Sequence, residues 1–77
     1  MAAVFITGGA TGIGAASVRK FAANGFDVAV FDINAQAVAD LAQEGHSGSI
    51  TYFDTDVRQR SAVRQSIAAA AEQVGAP

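Results

Sequence analysis

The chain has 77 residues and a formal net charge of -2; 51% of it is hydrophobic and 16% charged, and it has no cysteine. That length admits at most one small domain, burying only about 60% of its unfolded surface, and the composition is globular, not disordered. No cluster of Lys and Arg exists to hold nucleic acid by displacing counterions, and disulfides, thiolate nucleophiles and cysteine-held zinc are all excluded.

The first element predicted is a strand, Ala3-Val4-Phe5-Ile6, a short apolar run of the kind buried on both faces of a parallel sheet. Met1 to Ile6 carries no basic leader and is too short for a signal core or a membrane span, so a cytoplasmic location without a membrane partner is expected. Thr7 to Gly14, reading Thr-Gly-Gly-Ala-Thr-Gly-Ile-Gly, must turn that strand sharply into a helix. The helix is predicted from about Ile13 to Asn24, with Gly14, Val18, Phe21 and Ala22 on one face and Gly25 as its left-handed cap.

A second strand follows from Asp27 to Asp32. Asn34 can cap the next helix, whose stripe is Val38, Leu41 and Ala42 and which Gly45 ends. The third strand is about Ser49 to Phe53. The last helix covers about Gln59 to Val74, with Val63, Ile67, Ala70, Ala71 and Val74 recurring every three or four residues.

This βαβαβα order implies an α/β fold, a Rossmann-type parallel sheet covered by helices. Right-handed crossovers give the strand order 3-2-1, one mononucleotide-binding half of a doubly wound fold. The chain from 1 to 77 is therefore expected to be the N-terminal dinucleotide-binding half of a Rossmann domain, incomplete because nothing in it supplies strand 4.

The chemistry sits at the glycine turn. Bare N–H groups at a helix N-terminus, aided by the macrodipole, suit a pyrophosphate. Gly8 permits the tight turn, Gly12 lets a diphosphate approach the backbone, and Gly14 lets the helix lie close to the first strand. An ordinary strand-to-helix turn would explain a lone glycine triplet; the flanking strand and helix and a later acid argue otherwise. That acid is Asp32, at the end of the second strand, where a carboxylate accepts from the adenosine ribose hydroxyls and repels a 2'-phosphate. A plain capping role for Asp32 is the competing account, but Asn34 is the better placed cap.

The spacing Thr7-Gly8, three residues, Gly12-Ile13-Gly14 resembles the Thr-Gly-x-x-x-Gly-Ile-Gly signature of the classical short-chain dehydrogenase/reductase family. Thr11 stands where the extended branch of that superfamily usually has its middle glycine. The resemblance implies cofactor contacts from Thr7, Gly8, Thr11, Gly12, Ile13, Gly14, Asp32 and Ile33. NAD is implied over NADP, since NADP-preferring members often carry a basic residue at the place of Thr11 or Ile33.

The resemblance also assigns Asp56 and Val57 to the adenine pocket, the carboxylate meeting the exocyclic amine and the valine packing on the ring. Read by itself, Asp56 is equally a turn former or helix cap. Arg58 departs from the Thr or Ser often found there, which strengthens the capping account of Asp56 and leaves the start of the last helix open. The remaining polar residues read as structural: His46 as a solvent-exposed loop side chain and Lys20 as part of a solvated helix face, while Arg58, Arg60 and Arg64 could approach a phosphate but read better as exposed helix charges.

No catalytic residue and no metal ligand is expected in these 77 residues. Tyr52, the single tyrosine, lies in a strand with Asp56 four positions on, so it does not match the family's Tyr-x-x-x-Lys motif. Gly75-Ala76-Pro77 resembles the segment that leads into the family's fourth strand, beyond which its catalytic Ser, Tyr, Lys and Asn lie. The implied function is the NAD(H)-binding portion of an oxidoreductase moving a hydride between nicotinamide and a small alcohol or carbonyl substrate, in a homo-oligomer. A non-catalytic nucleotide-binding module, or a truncated remnant without activity, is the alternative.

Overall fold

The computed structural model describes residues 3–9 and 12–75. Strands β1 (Ala3–Thr7), β2 (Asp27–Asp32) and β3 (Ser49–Asp54) alternate with helices α1 (Gly12–Ala23), α2 (Ala35–Ala42) and α3 (Arg60–Gln73). The strands form one parallel sheet in the order β1-β2-β3, which read from its other edge is the expected 3-2-1. Element ends differ from expectation by a residue: α1 is Gly12–Ala23 and β3 extends through Asp54.

β2 is central, and Val28, Ala29, Val30 and Phe31 are all buried, as a strand covered on both faces requires. β1 departs from that expectation. Only Ala3 is buried, Val4 to Ile6 are half-buried and Thr7 is exposed, because β1 has a strand neighbour on one side only among the described residues.

Strand alternation divides the core. On one face Val28 and Val30 pack with Ala15, Val18 and Ala22 of α1 and Val38 and Leu41 of α2. On the other, Ala29, Phe31 and Phe53 pack with Ala70 of α3, and Phe5, Phe31 and Phe53 line up with neighbouring ring centroids 5.5 Å apart. Two helices thus lie on one face and the third on the other.

The helical faces are turned somewhat from the expected stripes. Ala15 joins the buried face of α1, while Phe21 is 37% exposed and sits edge-on to Phe26; small alanines let the helix approach the sheet more closely than a phenyl ring would. In α3, Ile67 is 45% exposed and Ala71 is exposed, while Ser66 and Ala69 turn inward beside Ala70. The cause is a hydrogen bond between the hydroxyls of Ser66 and Thr55, which makes inward placement of a serine inexpensive.

Local signals hold at the caps. The Asn34 side chain accepts from the Ala37 N–H at 3.1 Å, and Gly25 and Gly45 adopt φ of 87° and 83°. Gln59 stands at the N-cap of α3 and makes no side-chain capping bond. Among the described residues no helix is long and apolar enough to cross a membrane.

Candidate functional site

β1 ends in a turn whose Gly8 N–H donates to the Phe31 carbonyl at 3.0 Å, so the turn is tied to β2 one residue before Asp32. Gly8 and Gly12 have φ of 66° and 58°, and a Cβ on either would meet nothing within 4 Å. Their missing side chains leave backbone open to an approaching group. Gly12, Ile13 and Gly14 form the first residues of α1, with no acidic side chain in that turn to offset the dipole. Thr7 ends β1 exposed ahead of them, and Thr11 lies outside the described residues.

Two glycines carry constraints beyond those expected. A side chain on Gly14 would strike the Gly8 carbonyl, so its close approach is to the turn and not to the strand. Gly9, not singled out from sequence, is buried, and a Cβ there would lie 2.7 Å from Val30 Cγ1 and 2.9 Å from Val18 Cγ2. The doubling Gly8-Gly9, where the turn needs one glycine, was the available signal.

The parallel ladder continues past the strands, with the Thr55 N–H donating to the Asp32 carbonyl at 3.1 Å. This gathers Gly8, Asp32, Ile33, Thr55, Asp56, Val57 and Arg58 around a cleft of about 170 Å³. One Asp32 carboxylate oxygen accepts from the Asn34 N–H at 3.0 Å. Ile33 and Val57 supply apolar walls, 65% and 52% exposed, and Ile13 stands 87% exposed at the start of α1. Such a cleft, outside the carboxyl ends of parallel strands, is where ligands bind in open α/β sheets.

For Asp56 the structure shows the turn-forming account. Its Oδ1 accepts from the Arg58 backbone N–H at 3.0 Å, a turn-forming bond, and the residue also lines the cleft. Arg58 Nε donates to Oδ1 at 3.0 Å and Nη2 to Oδ2 at 2.9 Å. The guanidinium beside it holds the Asp56 carboxyl below the usual range. Thr55, which sequence reasoning missed, is 2% exposed and bonds both the Phe53 carbonyl and Ser66, locking the cleft floor to α3.

Two polar side chains outside the cleft bond to their surroundings. The Tyr52 hydroxyl donates to Asp54 Oδ1 at 3.3 Å, and burial, with the charges of Asp54 and Asp32, pushes its ionisation up. His46 corrects an expectation: it is half-buried, its Nε2 3.0 Å from the Leu41 carbonyl near the end of α2.

A family model described as short chain dehydrogenase matches residues 2–76. Cis-2,3-dihydrobiphenyl-2,3-diol dehydrogenase of Paraburkholderia xenovorans is 41% identical over 64 residues, 83% of this chain and 23% of that enzyme. Short-chain dehydrogenase reductase 3b of Arabidopsis thaliana is 33% identical over 72 residues, 94% of this chain and 28% of that protein. Among solved structures, an alcohol dehydrogenase from Thermococcus sibiricus complexed with 5-hydroxy-NADP superposes with a TM-score of 0.90 at 26% identity, over 97% of this chain and 33% of that one. A blue fluorescent protein from a metagenomic library, in complex with NADPH, gives 0.85 at 34% identity, over 96% of this chain and 32% of that one. The chain thus spans about a quarter of the length of these curated relatives.

Proposed function

Because the chain belongs to the short-chain dehydrogenase family, we propose that residues 1–77 are the adenosine-diphosphate-binding half of an oxidoreductase that exchanges a hydride with an alcohol or carbonyl substrate. The observation that carries this reading is the junction of the glycine turn with the end of β2, where the Gly8–Phe31 bond sets Asp32 beside the turn in one cleft. The bound nicotinamide cofactor would supply the hydride chemistry. The residues of this chain bind and orient.

In this reading the open backbone at Gly8 and Gly12 and the N–H groups of α1 from Gly12 to Gly14 hold the diphosphate, with Thr7 and Ile13 flanking it. The position of Thr11 between Gly8 and Gly12 in the sequence gives it the same role. Asp32 accepts from the adenosine ribose hydroxyls. Ile33 and Val57 face the base, and Asp56 accepts from its exocyclic amine.

NAD is preferred over NADP because a 2'-phosphate would meet the Asp32 carboxylate without a basic residue at position 11 or 33 to offset it. At an effective dielectric constant of about 20 that repulsion is on the order of 1–3 kcal/mol, roughly ten- to a hundredfold in affinity.

Titration of the intact protein with ADP-ribose, NAD and NADP tests this. ADP-ribose and NAD should bind, NADP at least about tenfold more weakly, and Asp32→Ala should narrow that gap. Absence of ADP-ribose binding would overturn the site; a preference for NADP would overturn the role of Asp32.

A further inference from the structure

Arg58 closes the cleft beside Asp56 and makes three hydrogen bonds to its carboxylate, one from the backbone N–H and two from the guanidinium. Two of these end on Oδ1 and one on Oδ2. A carboxylate accepts at about four lone-pair sites, two on each oxygen. The arrangement loads Oδ1 fully and leaves capacity on Oδ2 for one further donor.

We infer that Arg58 is a positioning residue for base recognition, holding Asp56 so that Oδ2 takes a hydrogen bond from an exocyclic amine of the nucleobase. This deepens, and rests on, the assignment of Asp56 to the base end of the cleft. The guanidinium fork fixes the carboxylate plane as well as its charge, because two parallel N–H donors engage both oxygens. An acceptor so fixed favours a base carrying an N–H donor and disfavours one presenting a carbonyl at the same place, since two oxygen lone pairs would then face each other. Held ionised, Asp56 has no proton of its own with which to satisfy such a carbonyl.

Arg58 is exposed, with 83% of its side chain accessible, so its replacement leaves the core untouched. The experiment compares the dissociation constants of NAD and of nicotinamide hypoxanthine dinucleotide, whose base carries a carbonyl in place of the amine. They are measured on the intact protein, on Arg58→Ala and on Arg58→Lys.

The unaltered protein should favour NAD, on the order of tenfold, and Arg58→Ala should collapse most of that preference. Arg58→Lys keeps the charge without the fork and should recover only part of it. A merely structural role for Arg58 would weaken both dinucleotides equally and leave their ratio unchanged, which would overturn the inference. An unaltered protein that binds NAD yet does not distinguish the two would overturn the base role of Asp56 together with it. Discrimination intact in the parent and in Arg58→Ala would overturn the part of Arg58 alone.

Discussion

The space where a Gly14 side chain would stand is filled by the carbonyl oxygen of Gly8. The first turn of α1 is thereby pressed against the turn that leaves β1. Backbone at one end and a helix at the other leave no flexible side chain to move aside.

Gly14→Ala should therefore destabilise the fold by about 1–3 kcal/mol, as overpacking does, and weaken ADP-ribose binding further than the stability loss explains. Chemical denaturation paired with titration at a temperature where the variant is folded measures both. Undiminished affinity would mean that the close approach does not shape the anion site.

Thr55, just past β3, bonds that strand through the Phe53 carbonyl and α3 through Ser66. Thr55→Val preserves shape but leaves the Phe53 carbonyl and the Ser66 hydroxyl without the hydroxyl they share, at a cost of about 1–3 kcal/mol. Thr55→Ser keeps the hydroxyl and should cost less. Denaturant midpoints of the two variants, compared with Ser66→Ala, show whether the hydroxyl pair acts as a unit.

Arg19 of α1 and Glu44, just past α2, form a two-pronged ion pair, with Nε to Oε1 and Nη2 to Oε2 both at 2.9 Å. The hydrogen bond from Arg19 holds the Glu44 carboxyl below its ordinary range. A carboxyl depressed in the folded state adds stability above its unfolded pKa, about 4.3, and that contribution is lost as pH falls through the lower folded value. Carboxyl NMR titration should place Glu44 below the other exposed acids, and Arg19→Gln should return it to the usual range; both carboxylate and guanidinium are exposed, so salt should weaken the effect.

Much of the fold was legible locally. The uninterrupted run Val28–Phe31 marked a buried strand, and Asn34, Gly25 and Gly45 marked helix ends, because caps and buried runs depend on neighbours in sequence. The stripe of α3 was less legible. Spacing alone favoured Ile67, yet Ser66 turns inward because its partner Thr55 lies outside the helix, just past β3.

The same division runs through the site. Glycine spacing and residue type determined by themselves that Gly8, Gly12, Gly14 and Asp32 belong to a strand–turn–helix unit followed by an acidic strand end, since steric freedom and charge are properties of single residues. Only tertiary structure decided that Gly9 must also lack a side chain, where Val18 and Val30 meet above it. Tertiary structure likewise decided that Arg58 folds back onto Asp56 at the rim of the cleft. Close approach and side-chain pairing depend on where other elements arrive, and parallel pairing of β1, β2 and β3 joins residues about twenty positions or more apart in the chain.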